Sequence, residues 1–328
     1  MNYILLTTFL IVLTTLVYAI FVRNQRGLNS DSQPGIGLAR RSYLYALSFL
    51  SLLMASVGGL FIITFLLVGL FEASQLTSSN TPLAIGTSLI IIGLPLWVIH
   101  WFLISRHVKK LPVERKSSLR KTYLYVVMGI AISSLMASGL KILEWIFRIE
   151  DFSGYAWSSI LIWSIVWIYH WKTSEQEAAL TLEKLDIRHL YVYITSFVTL
   201  FMIFVGLFQI LRLIMLELYD PLLGTQVMLK GPLNAGILGS QMKSALSLTI
   251  VGSSVWFLHW IYMSRELVNS KLRIIYLYMT TGFIGPIIMM ASLVYVSYKI
   301  IIWVIGTHTY QTGNAYFFFI PEHLSIIT

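Results

Sequence analysis

Long apolar runs, separated by short segments in which polar and basic residues cluster, set the rhythm of this chain. They fall at about 3–22, 42–71, 83–104, 122–147, 156–171, 190–218, 244–263 and 274–305. Crossing about 30 Å of hydrocarbon as a helix takes roughly 20 apolar residues. The pattern therefore predicts an all-α integral membrane protein with eight transmembrane helices. The first run has no basic residue before it and Arg23 and Arg26 directly after it. It reads as an uncleaved anchor helix rather than a signal peptide. Composition points the same way, since 57% hydrophobic and 11% charged residues leave too little polar surface for a soluble globule.

The formal charge of +9 would suggest a nucleic-acid partner if the basic residues formed one patch. They do not. Segments 23–41, 105–121, 172–189 and 265–273 hold 17 of the 23 Lys and Arg. The alternate loops hold only Arg148, Lys230 and Lys243. This asymmetry is the positive-inside signature. It places the basic loops inside and both termini on the outer side of the cell's inner (plasma) membrane, and it removes nucleic acid from the expected partners.

Two short motifs recur in step. Trp-x-x-His-Trp occurs at Trp97–Trp101, Trp167–Trp171 and Trp256–Trp260. Arg-x-x-Tyr-(Leu/Val)-Tyr opens at Arg40 with Tyr43, Arg120 with Tyr123, Arg188 with Tyr191 and Arg273 with Tyr276. About 15 or 16 residues beyond each first Tyr stands a small residue: Gly58 and Gly59, Gly139, Gly206, and Ala291 with Ser292. The expected unit is a long helix entering from the basic side, an outer loop, and a second helix returning to end in His-Trp. Because every unit enters from the same side, these are parallel repeats. The chain then divides into an anchor helix and inner linker (1–39), three helix pairs (40–109, 110–175 and 176–268, the last with a long outer loop at 219–243), and a half pair with an outer aromatic tail (269–328). The anchor can stand in for the missing last helix. Gly285-Pro286 should kink the final helix, because proline removes a backbone bond.

Each motif has a structural role open to it. Arg and the Tyr three residues on share a helix face, so the guanidinium can reach headgroups while the phenols sit in the interfacial aromatic belt. The small mid-helix residues allow the close approach on which helix association in lipid depends. The two Trp of each His-Trp motif, at i and i+4, stack on one face. For His100, His170 and His259 two uses compete. One is a hydrogen bond to a Tyr of the same pair's opening motif, which would clasp two helices. The other is axial ligation of haem or a chlorin pigment, with the tryptophans against the macrocycle. No covalent haem-attachment motif is present.

Other chemistry is scarce. No P-loop, dinucleotide fingerprint, His-Glu-x-x-His or nucleophile elbow occurs, and with no cysteine there is no thiolate metal or iron-sulfur site. Lys141, Glu144, Arg212, Glu217 and Lys299 count out to the outer interface rather than the midplane, and Lys141 is spaced to pair with Glu144. A proton-coupled transporter generally carries a midplane acid, and none is found.

The paired motifs resemble a bacterial family of multi-pass membrane proteins of unknown function, over about residues 40–305. That resemblance implies topology and no activity. The expected function is that of a non-enzymatic structural or accessory subunit of a larger membrane complex, with the bilayer and other membrane-protein subunits as partners. A haem- or pigment-binding electron-transfer or light-harvesting subunit is the first alternative, and a channel the second.

Overall fold

The computed structural model describes residues 36–71, 80–110, 112–115, 117–178, 186–223, 239–265 and 271–305. Among them every regular element is helical. We number seven long helices: α1 (Ile36–Phe71), α2 (Thr81–Lys110), α3 (Ser118–Ile146), α4 (Gly154–Ala178), α5 (Asp186–Leu223), α6 (Ser240–Trp256, continued as the π-helix Phe257–Met263) and α7. The last runs Lys271–Leu277, then a π-helical stretch Tyr278–Ile284, then Gly285–Ile305. A single turn, Pro112–Arg115, follows α2.

Six segments are long and apolar enough to cross a membrane: Arg40–Phe71, Thr81–Lys110, Ser118–Ile146, Ile187–Ile214, Ser240–Met263 and Lys271–Tyr298. The chain is a multi-pass membrane protein. Of the eight expected spans, 3–22 lies outside the described residues. The span expected at 156–171 lies in α4, a 25-residue helix that is not among the six. Its serines, tyrosines, tryptophans and His170 dilute the apolar run. The helix α1 begins at Ile36, so the last residues of the expected linker are helical. Of the expected outer loop, residues 219–223 instead continue α5 and 240–243 open α6, while 224–238 and the whole aromatic tail lie outside the described residues.

The chain divides into two compact units, Met1–Trp145 with Asp151–Tyr191, and Ile146–Glu150 with Val192–Thr328. In the first, α1 and α2 meet through their backbones. A Cβ on Gly58 would stand 2.8 Å from the Gly86 carbonyl oxygen, and one on Gly93 would stand 3.1 Å from that of Ser51. In lipid, which offers no hydrophobic drive between helices, such close approach is a main source of association. Helix α4 bonds to both α1 and α3 through hydroxyls. Thr64 Oγ1 lies 2.6 Å from Ser158 Oγ, and Ser138 Oγ donates to Ser159 Oγ at 2.6 Å. Tyr45, Leu52, Trp101, Ile104, Tyr123, Leu124, Val127 and Trp163 are among the residues of one buried cluster.

In the second unit, α5 and α6 repeat the α1/α2 solution. A Cβ on Gly206 would stand 2.9 Å from the Ala245 carbonyl oxygen, and one on Gly252 would stand 3.1 Å from that of Thr199. Counted from the first Tyr of their opening motifs, Gly58 and Gly206 occupy the same position, as do Ser51 and Thr199. Ser138 also occupies the first of these positions, so the small residue that meets the return helix in α3 is Ser138 rather than the expected Gly139. At Gly285-Pro286, where a kink is expected, the backbone passes from a π-helical stretch, Tyr278–Ile284, to the α-helix Gly285–Ile305. Such stretches relieve an interrupted bond ladder.

Candidate functional site

The motif residues converge at the ends of the helices, and the contacts begin within a single turn. In each Trp-x-x-His-Trp the two indoles stack: Trp97 on Trp101 (centroids 6.3 Å apart, planes 11°), Trp167 on Trp171 (5.6 Å, 2°) and Trp256 on Trp260 (6.4 Å, 22°). The i, i+4 spacing dictates this. The first two motifs are α-helical, whereas His259 and Trp260 of the third lie in the π-helix Phe257–Met263.

The stacked pair then reaches forward to the next helix in the chain. Trp97 Nε1 donates to the Tyr123 hydroxyl (3.4 Å), Trp167 Nε1 to that of Tyr191 (2.9 Å) and Trp256 Nε1 to that of Tyr276 (3.3 Å). The second indole of each motif lies beneath the arginine of that same next helix. Arg120 sits over Trp101 at 5.2 Å, Arg188 over Trp171 at 5.5 Å and Arg273 over Trp260 at 5.2 Å. A third contact comes from the preceding opening helix, whose second Tyr packs on the same phenol. The pairs are Tyr45 with Tyr123, Tyr125 with Tyr191 and Tyr193 with Tyr276, with centroids 5.6, 5.5 and 5.8 Å apart. Around Tyr123 the hydroxyl also accepts from Ser48 Oγ at 3.3 Å.

Three consequences separate this arrangement from the sequence expectation. The side-chain hydrogen bond common to all three His-Trp motifs is made by the first Trp and goes to the tyrosine of the following opening helix, not to that of its own pair, and Trp101 Nε1 donates as well to the Tyr169 hydroxyl on α4. Two of the arginines do not extend to headgroups. Arg120 and Arg188 are buried, and their charge is met by carboxylates. Arg120 Nε bonds both Glu177 oxygens, at 2.9 and 2.8 Å, while Arg188 pairs with Glu175 at 3.0 Å. Burial of a guanidinium requires such a partner. Sequence reasoning passed over Glu175 and Glu177, although Glu175 stands four residues after Trp171 and so shares its helix face. At the first opening motif the pairing differs, with Arg40 bonded to His107 at 2.9 Å and Arg41 Nε to Glu114 at 2.9 Å. Lys141 and Glu144 pair as their spacing predicts, at 3.3 Å.

The histidines share a geometry of their own. Each Nδ1 lies within hydrogen-bond distance of the carbonyl four residues back: His100 to Leu96 (2.7 Å), His170 to Val166 (2.8 Å) and His259 to Val255 (2.8 Å). A carbonyl can only accept, so Nδ1 carries the proton. His170 and His259 are fully buried and His100 is half-buried. Around His170 stand Trp101 and Tyr123, each at 5.8 Å, and Tyr169 at 5.2 Å. Its Nε2 is buried without a hydrogen-bond partner. His100 contacts Tyr43 at 6.3 Å, so in both cases the ring rests on the tyrosine of its own pair without bonding it.

No curated protein and no solved structure matches this chain. A family match does exist, and it occurs twice, over residues 41–150 and 189–319. Each match begins at the residue after an opening arginine, Arg40 or Arg188. The first takes in α1 to α3 and the second α5 to α7. The chain belongs to the family described as a domain of unknown function (DUF5671).

Proposed function

We propose that this is a non-enzymatic membrane protein whose paired motifs are clasps joining successive helix pairs, and that the resulting scaffold serves as a structural or accessory subunit of a larger complex in the plasma membrane. In this reading the architecture is eight helices arranged as three and a half parallel pairs plus an anchor, with both termini outside. The observation that carries it is the threefold recurrence of one contact set, Trp Nε1 to Tyr hydroxyl with Arg over the second Trp. Those contacts use the first indole N–H of each motif and the tyrosine hydroxyl it meets to hold neighbouring helices together.

One observation favours a second reading, in which the histidines hold a haem or chlorin. His170 has Nδ1 fixed by a carbonyl and Nε2 unpartnered, the arrangement that often orients a ligating histidine. Against it, that Nε2 is already buried, with Trp101, Tyr123 and Tyr169 packed 5.2 to 5.8 Å from the imidazole, so a macrocycle would have to displace whatever covers it.

Purification in mild detergent followed by an absorption spectrum through the visible and near infrared distinguishes the two. A colourless preparation, in which His170→Ala and His259→Ala lower only thermal stability, is expected. Bands lost on these substitutions would overturn the clasp as the motif's purpose. The accessory role is tested by native mass measurement after gentle extraction, and a lone monomer would contradict it.

A further inference from the structure

The three joints between successive pairs contain six tyrosines, two each, and all six are buried. The accepting ones, Tyr123, Tyr191 and Tyr276, are 5, 6 and 6% exposed, and the packing ones, Tyr45, Tyr125 and Tyr193, are 6, 5 and 5% exposed. Two tyrosines of the same motifs depart from this. Tyr43, the accepting residue of α1, is 60% exposed, and Tyr278, the packing residue of α7, is 72% exposed. Among the described residues no opening helix precedes Tyr43 to supply a ring, and none follows Tyr278 to receive it. Each is the half that the other lacks.

We propose that these two ends meet between copies of the chain, with Tyr278 of one protomer packing on Tyr43 of the next in a head-to-tail joint. The proposal rests on the clasp reading and extends it across a subunit boundary. A hydroxyl stands at the corresponding place on α7 too. Thr281 follows Tyr276 by five residues, as Ser48 follows Tyr43. Ser48 donates to the Tyr123 hydroxyl, whereas the exposed Thr281 donates to the Leu277 carbonyl at 2.7 Å and its oxygen is left to accept from the Tyr43 hydroxyl. Exposed apolar residues continue the surface on both sides, with Leu50, Val57 and Phe61 on α1 and Ile274, Met279 and Ile287 on α7.

The membrane permits this geometry. In the proposed topology the opening helices all enter from one side, so a contact that sets α7 of one copy beside α1 of the next keeps both copies upright. A head-to-tail contact of this kind is heterologous and closes into a ring when its rotation allows. The sequence holds three Trp-x-x-His-Trp motifs and each is engaged within the chain. The joint between copies therefore lacks the indole bond and should be weaker than the internal ones.

The absence of cysteine makes the test direct. A Tyr43→Cys chain carrying one tag and a Tyr278→Cys chain carrying another are co-expressed, and native membranes are treated with a short bismaleimide. A single chain with Tyr45→Cys and Tyr123→Cys reports whether the reagent bridges an internal joint. The expected result is a covalent adduct containing both tags, together with a linked control. Adducts between two Tyr43→Cys chains would indicate a symmetric interface and overturn the proposal. So would a link found only within one chain carrying both Tyr43→Cys and Tyr278→Cys, or no adduct when the control links. A control that fails to link would remove the clasp reading, and this proposal with it.

Discussion

The pairs α1/α2 and α3/α4 reach the same clasp by different means. In α1/α2 the backbones touch at Gly58 and Gly93, and α5/α6 repeats this at Gly206 and Gly252. In α3/α4 the position of Gly58 is taken by Ser138, which bonds Ser159, and the position of Gly93 is taken by Trp163. Yet Trp97 and Trp167 find their tyrosines alike, and Arg120 and Arg188 cover their tryptophans alike. The mid-helix contact is thus one of several steric solutions, while the motif end is reproduced at all three joints. That contrast assigns the defining role to the clasp and a supporting role to the helix crossing.

Substitutions can break the contrast in order of size. Arg120→Ala leaves the Glu177 carboxylate without its buried partner, and removing one member of such a pair costs about 3 kcal/mol. Arg40→Ala, on the exposed side of the first pair, should change unfolding free energy in detergent by less than about 0.5 kcal/mol. A similar loss in both would contradict the distinction between the two arginines. Next in size, Gly58→Ala brings a methyl against the Gly86 carbonyl and should cost about 2 kcal/mol through overpacking. Gly206→Ala should match it, whereas Gly139→Ala should be nearly silent. Thermal melts of the three proteins measure this. Ser138→Ala removes one interhelical hydrogen bond and should cost about 0.6 to 1 kcal/mol, with Thr64→Val costing a similar amount.

How much of this was legible in the sequence depends on the kind of information each feature carries. Helix positions were, because apolar runs state their own length, and six of the expected spans coincide with membrane-length helices within a few residues. The stacking of Trp97 on Trp101 was as well, since spacing within one helix fixes it. The partner of Trp97 was not. Periodicity states which residues share a face and is silent on which helix that face meets, so Tyr123 could not be chosen over Tyr43. Ser138 was passed over for its neighbour because glycine is the more familiar small residue, although counting from Tyr123 aligns Ser138 with Gly58 and Gly206. Glu175 and Glu177 were hidden because only the Lys and Arg of segment 172–189 bear on topology, and spacing within α4 does not say which arginine a carboxylate meets. The π-helix around His259 has no proline or glycine within it to announce it.

The clasp itself is tested most directly by a double-mutant cycle on Trp167 and Tyr191, the shortest of the three indole bonds at 2.9 Å. Trp167→Phe and Tyr191→Phe each remove the bond while keeping an aromatic ring in place. Unfolding of the two single variants and the double variant in detergent should show a coupling of about 0.6 to 1.7 kcal/mol, the range found for interhelical hydrogen bonds in membranes. Strictly additive losses would mean that the indole and the phenol do not hold the helices together, and would contradict the account at its centre.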